Sequence, residues 1–161
     1  MAKTDVALKR TDTIVNELER LHEEISRRAY ELFENNGTSS DPIGDWLNAE
    51  RELIWSPAIE VRQKDSQFEV LAATPGVEAK DLDVQITPND LLIKADVKHS
   101  HATDGGTVCT SDFTGGKLFR SVHFPEAVDP NSVKVEYRNG LLHLTAAIAK
   151  VRPTKVDIKA A

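Results

Sequence analysis

The sequence predicts a mainly β protein, an immunoglobulin-like antiparallel β-sandwich with a helical N-terminal arm and a short extended C-terminal tail. Three observations predict it. In the first third of the chain apolar residues recur every three or four positions, the period of a helix. From Ala58 they recur every second position, the period of a strand. Turn-forming residues then cut this second region into many short runs, the pattern of an antiparallel sandwich. The boundaries fall at 1–57 for the arm, 58–150 for the sandwich and 151–161 for the tail.

In the arm, Ile14, Leu18, Leu21, Ile25, Ala29 and Leu32 share one helical face, and Glu17, Glu19, Arg20, Glu23, Glu24, Arg27 and Arg28 fall mainly on the other. Asp12 or Thr13 is placed to cap the start. Asn35-Asn36-Gly37 is a stop, because Asn and Gly tolerate the left-handed conformation at a helix end. A helix of about 20 residues with one apolar face is marginal alone in water, so it needs something to pack on. After a polar turn at Thr38-Ser39-Ser40-Asp41-Pro42, a second short helix carries Trp46, Leu47, Ala49, Leu53 and Ile54. Asp45 is its expected cap and Pro57 its expected end.

The strand runs follow in order. They are Ile59 and Val61; Phe68, Val70 and Ala72; Leu82, Val84 and Ile86; Leu91, Ile93, Ala95 and Val97; Leu118, Arg120 and Val122; Val133, Val135 and Tyr137; Leu142, Leu144 and Ala146. Pro75-Gly76, Pro88-Asn89-Asp90, Gly105-Gly106, Gly115-Gly116, Pro125, Asp129-Pro130 and Asn139-Gly140 separate them. Asn139-Gly140 is the strongest hairpin signal, since a type I′ turn needs two positive φ angles. Beyond Lys150 the tail is polar and Pro-stiffened until Val156 and Ile158, which face the same way in extended backbone.

Composition excludes several functions. A net charge of -6 argues against broad nucleic-acid binding, which needs a basic surface. The single cysteine, Cys109, forbids an intramolecular disulfide, and no His/Asn constellation beside it marks a nucleophile. His99 and His101 lie in a polar loop and read as solvated rather than as a metal site. Gly115-Gly116-Lys117-Leu118 lacks the earlier glycine and the Ser/Thr of a phosphate loop, and no Gly-x-Ser-x-Gly is present. The expectation is therefore a protein with no enzymatic activity and no cofactor. A charged start with no apolar h-region and the lack of any bilayer-length apolar run suggest a cytoplasmic location.

Six pieces of the sandwich region carry a resemblance. They are Trp55-Ser56-Pro57-Ala58-Ile59-Glu60-Val61; Thr74-Pro75-Gly76-Val77 with Asp81-Leu82-Asp83-Val84; Leu118-Phe119-Arg120-Ser121; Phe124-Pro125-Glu126-Ala127-Val128; Val135-Glu136-Tyr137-Arg138-Asn139-Gly140-Leu141-Leu142; and Val156-Asp157-Ile158. In order and spacing they resemble the α-crystallin domain and tail of the small heat-shock proteins. Val135 stands where that family usually has Ala, and Ala149-Lys150 where it has Pro-Lys. Residues 26–55, with Arg28-Ala29-Tyr30-Glu31-Leu32-Phe33 and Asp45-Trp46-Leu47-Asn48-Ala49-Glu50-Arg51-Glu52-Leu53, resemble a short bacterial segment of uncharacterised function.

The small heat-shock resemblance implies a homo-oligomer built from dimers that holds non-native client proteins without ATP. It implies that Val156 and Ile158 dock in a neighbour's groove walled by Val84, Ile86, Val133 and Val135. It implies that Arg120 meets Asp112 across a dimer interface, where the loop from His99 to Gly116 adds a strand carrying Val108 and Cys109 to the partner's sheet. The arm residues Leu18, Leu21, Ile25, Leu32, Phe33, Trp46, Leu47, Ile54 and Trp55 are the expected client or oligomer contacts. A scaffolding module that binds one folded partner is the alternative.

Overall fold

The structure, a computed structural model, describes residues 6–97, 105–112 and 116–150. Two helices form the expected arm, α1 (Val15–Asn36) and α2 (Pro42–Leu53). Seven strands form the sandwich: β3 (Ile59–Lys64), β4 (Gln67–Ala73), β5 (Asp83–Ile86), β6 (Asp90–Val97), β7 (Gly116–His123), β8 (Lys134–Arg138) and β9 (Leu141–Ala147). The arm also supplies two strands that its sequence pattern did not announce, β1 (Ala7–Arg10) and β2 (Ile54–Trp55).

One sheet runs β3-β4-β9-β8 and is antiparallel throughout. The other runs β1-β5-β6-β7-β2, with an antiparallel centre and an arm strand laid parallel on each edge. The central strands β4 and β9 bury every second residue. Phe68, Val70 and Ala72 of β4 meet Leu142, Leu144 and Ala146 of β9 within one cluster. Val84, Ile86, Leu91, Ile93, Ala95 and Leu118 close it from the other sheet. Phe68 and Phe124 stack at its centre, ring centroids 5.5 Å apart. Fully burying a side chain of this size contributes roughly 1.5–3 kcal/mol, so this contiguous cluster dominates the stability of the sandwich.

The turn at Asn139-Gly140 has φ of 53° and 76°, both positive as a type I′ turn requires. A Cβ on Gly140 would also sit 3.2 Å from the Pro75 Cα, so the position needs glycine twice over. The β3–β4 hairpin turns at Asp65, φ 55°, which sequence punctuation did not mark. The Tyr137 hydroxyl is shared between the carbonyls of Thr74 and Val77 and ties β8 to the Pro75-Gly76 turn.

Two caps differ from expectation. Ile14 occupies the N-cap of α1, and the Thr13 hydroxyl one residue earlier accepts from the Val15 N–H at 3.1 Å. Asp41 occupies the N-cap of α2 with Pro42 at the first helical position. Asp45 is inside the first turn instead, buried, where it accepts from Asn36 Nδ2 at 2.7 Å and Ser40 Oγ at 3.0 Å. It locks the turn between the helices rather than capping the second.

Candidate functional site

Four features of the sandwich and its arm are candidates for interaction. The first is the edge formed by β5 and the segment leading to β8. Val84 and Ile86 are fully buried, Val133 is buried and Val135 is half-buried against the core. These four residues were expected to wall a groove that receives a neighbour's tail; in this chain a strand of the arm lies along that groove. β1 pairs along β5, Ala7 opposite Asp83 and Leu8 opposite Val84, and Val6 and Leu8 pack against the core cluster. The groove is filled from within the chain. The expected occupants, Val156 and Ile158, lie outside the described residues, as do His99 and His101.

The second feature is the opposite edge. β3 has β4 on one side and no strand on the other among the described residues. Its residues from Glu60 to Lys64 are exposed, Val61 among them. An unpaired edge presents free N–H and C=O groups to any extended segment. The ion pair between Arg62 and Glu69 crosses from β3 to β4, depressing the carboxyl of Glu69 and raising Arg62 through their hydrogen bond.

The third is the expected dimer contact. Arg120 is half-buried in β7 opposite Ile93, on the face it shares with Leu118 and Val122 by strand alternation. Asp112 is exposed, and no ion pair joins the two within the chain among the described residues. Residues 105–112 are exposed and carry no strand; Val108 is among them, and Cys109 Sγ lies 3.8 Å from the Thr107 carbonyl.

The fourth is the helical hairpin. α1 and α2 pack on each other through Ile25 and Ala49, both buried, with Trp46 against the His22 ring at 5.0 Å. Arg28 hydrogen-bonds to Glu52 at 2.7 Å and to Glu31 at 2.9 Å, which raises its already high basicity. The hairpin then lies on the outer face of the β5-β6-β7 sheet. Ile14 joins Leu92 and Phe119 in a small second apolar cluster, with Leu21 and Ile54 at its margin. This explains why Leu92 is buried although Leu91 and Ile93, on the other face of β6, are buried too.

Charge surrounds that cluster. Lys94 Nζ donates to Glu17 at 2.8 Å, and Lys117 Nζ donates to Glu24 at 2.7 Å. The Lys94 hydrogen bond holds the carboxyl of Glu17 below the ordinary glutamate range, against the opposing effect of its burial. A cleft of about 360 Å³ opens here between α1 and the sheet. Its cations Arg20, Lys94 and Lys117 are all paired with acids, so among the described residues it offers no free cation to an anionic ligand. No cluster of metal-ligating side chains occurs among the described residues.

The nine arm residues singled out from sequence divide. Ile25 is spent inside the hairpin, Leu21 and Ile54 in the second cluster, and Trp55 against the main core. Leu32 and Trp46 are half-buried. Leu18, Phe33 and Leu47 remain exposed. Sequence reasoning missed Tyr30 and Ile43, which are 60 % and 74 % exposed; Tyr30 stacks on Phe33, and its hydroxyl bonds Glu34, which raises its pKa. It also missed Val6 and Leu8, whose two-residue spacing was the available signal.

Comparison with known proteins bears on both regions. The model of the Hsp20/alpha crystallin family matches residues 60–159. A protein family of unknown function, DUF2934, matches residues 20–53, which is the helical hairpin. A probable 15 kDa heat shock protein of Leptospira interrogans is 30% identical over 110 residues, covering 68% of this chain and 83% of its own. The alpha-crystallin of Mycobacterium tuberculosis is 31% identical over 102 residues, 63% of this chain and 68% of its own. Among solved structures, heat shock protein 16.0 of Schizosaccharomyces pombe superposes with a TM-score of 0.54 at 25% identity, covering 66% of this chain and 99% of that one. No helix among the described residues is long and apolar enough to cross a membrane.

Proposed function

Because the chain belongs to the Hsp20/alpha crystallin family of small heat-shock proteins, whose names and structures support a chaperone role, we propose that it is an ATP-independent holdase that binds partly unfolded proteins and prevents their aggregation. The observation that carries this reading is the family match across the whole sandwich. It needs no cofactor and no catalytic group, and refolding is left to ATP-driven chaperones. A cytoplasmic site of action belongs to the same proposal, and cell fractionation tests it.

The parts have assigned roles in this reading. The bare β3 edge receives an extended segment from the 99–116 loop of a second copy, which forms the dimer. Arg120 then meets Asp112 of the other copy; in a buried pair, loss of either partner strands a charge at a cost of about 3–5 kcal/mol. Val156 and Ile158 link dimers by docking against Val84, Ile86, Val133 and Val135 of a neighbour. Clients are held on the exposed arm residues Leu18, Phe33 and Leu47, supplemented by Leu21, Ile25, Leu32, Trp46, Ile54 and Trp55 when the hairpin lifts from the sheet. Anchors that are weak singly and strong collectively permit subunit exchange.

The test is light scattering from two unrelated heat-labile proteins during heating, without ATP, with and without this protein. Suppression of both aggregations at near-stoichiometric ratios is the expected result. A second reading, a scaffold that binds one folded partner, is favoured by the hairpin's match to a family of unknown function and by exposed Tyr30 and Ile43 upon it. It predicts protection of at most that one partner.

A further inference from the structure

In the single chain, the groove that tail docking requires is already occupied. β1 runs parallel to β5 from Ala7, opposite Asp83, to Arg10, opposite Ile86. The Thr11 N–H donates to the Ile86 carbonyl at 3.0 Å and continues the ladder past the strand. Arg10 Nε donates to the Pro130 carbonyl at 2.9 Å, in the turn that leads into β8. Val6 and Leu8 pack against the cluster that holds Val84, Ile86 and Val133. The segment therefore contacts both sides of the groove. A strand edge offers one row of backbone donors and acceptors, so β5 cannot pair with a second segment while β1 holds it.

The occupant's own sequence is an independent observation. Val6-Ala7-Leu8-Lys9 near one end of the chain is matched by Val156-Asp157-Ile158-Lys159 near the other. Each has two aliphatic residues two apart, which share a face in extended backbone, and then a lysine on the opposite face. At β1 that lysine is in use, with Lys9 Nζ 3.0 Å from Asp83 Oδ2. The tail thus repeats the features that the groove engages on β1: an aliphatic pair for the core and a cation for Asp83.

We propose that β1 is an internal plug, and that Val6–Lys9 and the Val156–Lys159 segment of a neighbouring copy compete for one groove. This rests on the tail-docking reading above. Assembly through the tail then requires β1 to leave. The core remains sealed by the incoming tail, because one aliphatic pair replaces another. The plug is tethered by Thr11–Thr13 to Ile14, whose burial under α1 is separate, so release of β1 leaves the hairpin docked. Tethering gives the plug an effective concentration on the order of millimolar, which a free tail cannot match. Tails held together in an assembly can, so assembly is steep in protein concentration.

Two measurements on the full-length protein test this. In a Cys109→Ser background, Ala7→Cys with Asp83→Cys places thiols on directly opposed positions of β1 and β5. The oxidised protein should stay at the size of dimers by light scattering after gel filtration, and reduction should return it to the size of the background protein. Separately, in full-length protein carrying Val156→Ala and Ile158→Ala, a labelled peptide of residues 151–161 should bind at least about tenfold more tightly once Val6→Ala and Leu8→Ala are added. If the bridge does not form, the peptide titration alone decides. Equal assembly of oxidised and reduced protein, or an affinity unmoved by the Val6 and Leu8 changes, would overturn the plug. If Val156→Ala with Ile158→Ala shrinks the otherwise native assembly while those results hold, the plug alone is wrong. If that change leaves the assembly size unaltered, tail docking itself is wrong and the plug falls with it.

Discussion

Between the two sheets, the residues from Phe68 to Ala146 meet in one contiguous apolar cluster, with aromatic stacking of Phe68 on Phe124 at its centre. Between the hairpin and the outer face of the second sheet, the apolar contact is the small cluster of Ile14, Leu92 and Phe119 with Leu21 and Ile54 at its margin, ringed by the Lys94–Glu17 and Lys117–Glu24 ion pairs. The first contact is apolar and carries no charged side chain, while partly exposed ion pairs contribute about 0–1 kcal/mol each and are weakened by salt. The matched families divide at the same place, 20–53 for the hairpin and 60–159 for the sandwich. The difference predicts that the hairpin unfolds from the sheet more readily than the sandwich unfolds.

The largest expected effect abolishes the distinction. Phe68→Ala should cost about 3–5 kcal/mol by removing a fully buried ring and leaving a cavity. Denaturant unfolding would show it as a loss of the whole sandwich transition. A cost below about 1 kcal/mol, outside that range, would mean the core is not the main source of stability.

A smaller effect should separate the regions. Gly116 has φ of 140°, and a Cβ there would sit 2.6 Å from the Leu53 carbonyl where α2 hands over to β2. Gly116→Ala should cost about 1–3 kcal/mol, through backbone strain. Hydrogen exchange should show that loss in α1, α2 and β2 while β4 and β9 keep their protection. Equal loss in both regions would mean that the hairpin and sandwich unfold as one unit.

The smallest effect is electrostatic. The pKa of Glu17 is lowered in the folded chain by its hydrogen bond to Lys94. Its contribution is therefore complete above the ordinary glutamate value of about 4.3 and is lost as pH falls through the lowered folded value. Glu17→Gln should flatten that acid loss, by less than about 1 kcal/mol, with little change at neutral pH beyond the missing ion pair. Thermal melts between pH 5 and pH 3 would show it; identical profiles for the two proteins would remove Glu17 from the docking.

Much of this is legible in the amino-acid sequence. Period-two runs bounded by Pro, Gly and Asn marked all seven sandwich strands, because side-chain alternation across a strand is a local property of the backbone. Asn139-Gly140 marked its turn for the same local reason. Asn35-Asn36-Gly37 marked the end of α1, which stops at Asn36. Asp45 misled, because an Asp before an apolar run suits a helix cap, whereas its partners Asn36 and Ser40 belong to the preceding turn and helix end.

The chain's own sequence thus determined the sandwich, its strands and turns, the presence of two arm helices and the family to which it belongs, since each rests on local periodicity or on residues in fixed order. Only the tertiary structure decided what the arm does. Whether Val6 and Leu8 form a strand depends on the free edge of β5, more than seventy positions away. Whether Leu92 is a core or a surface residue depends on Ile14 lying over it. Edge pairing and face burial join residues distant in sequence, and no local pattern in either partner reports the other.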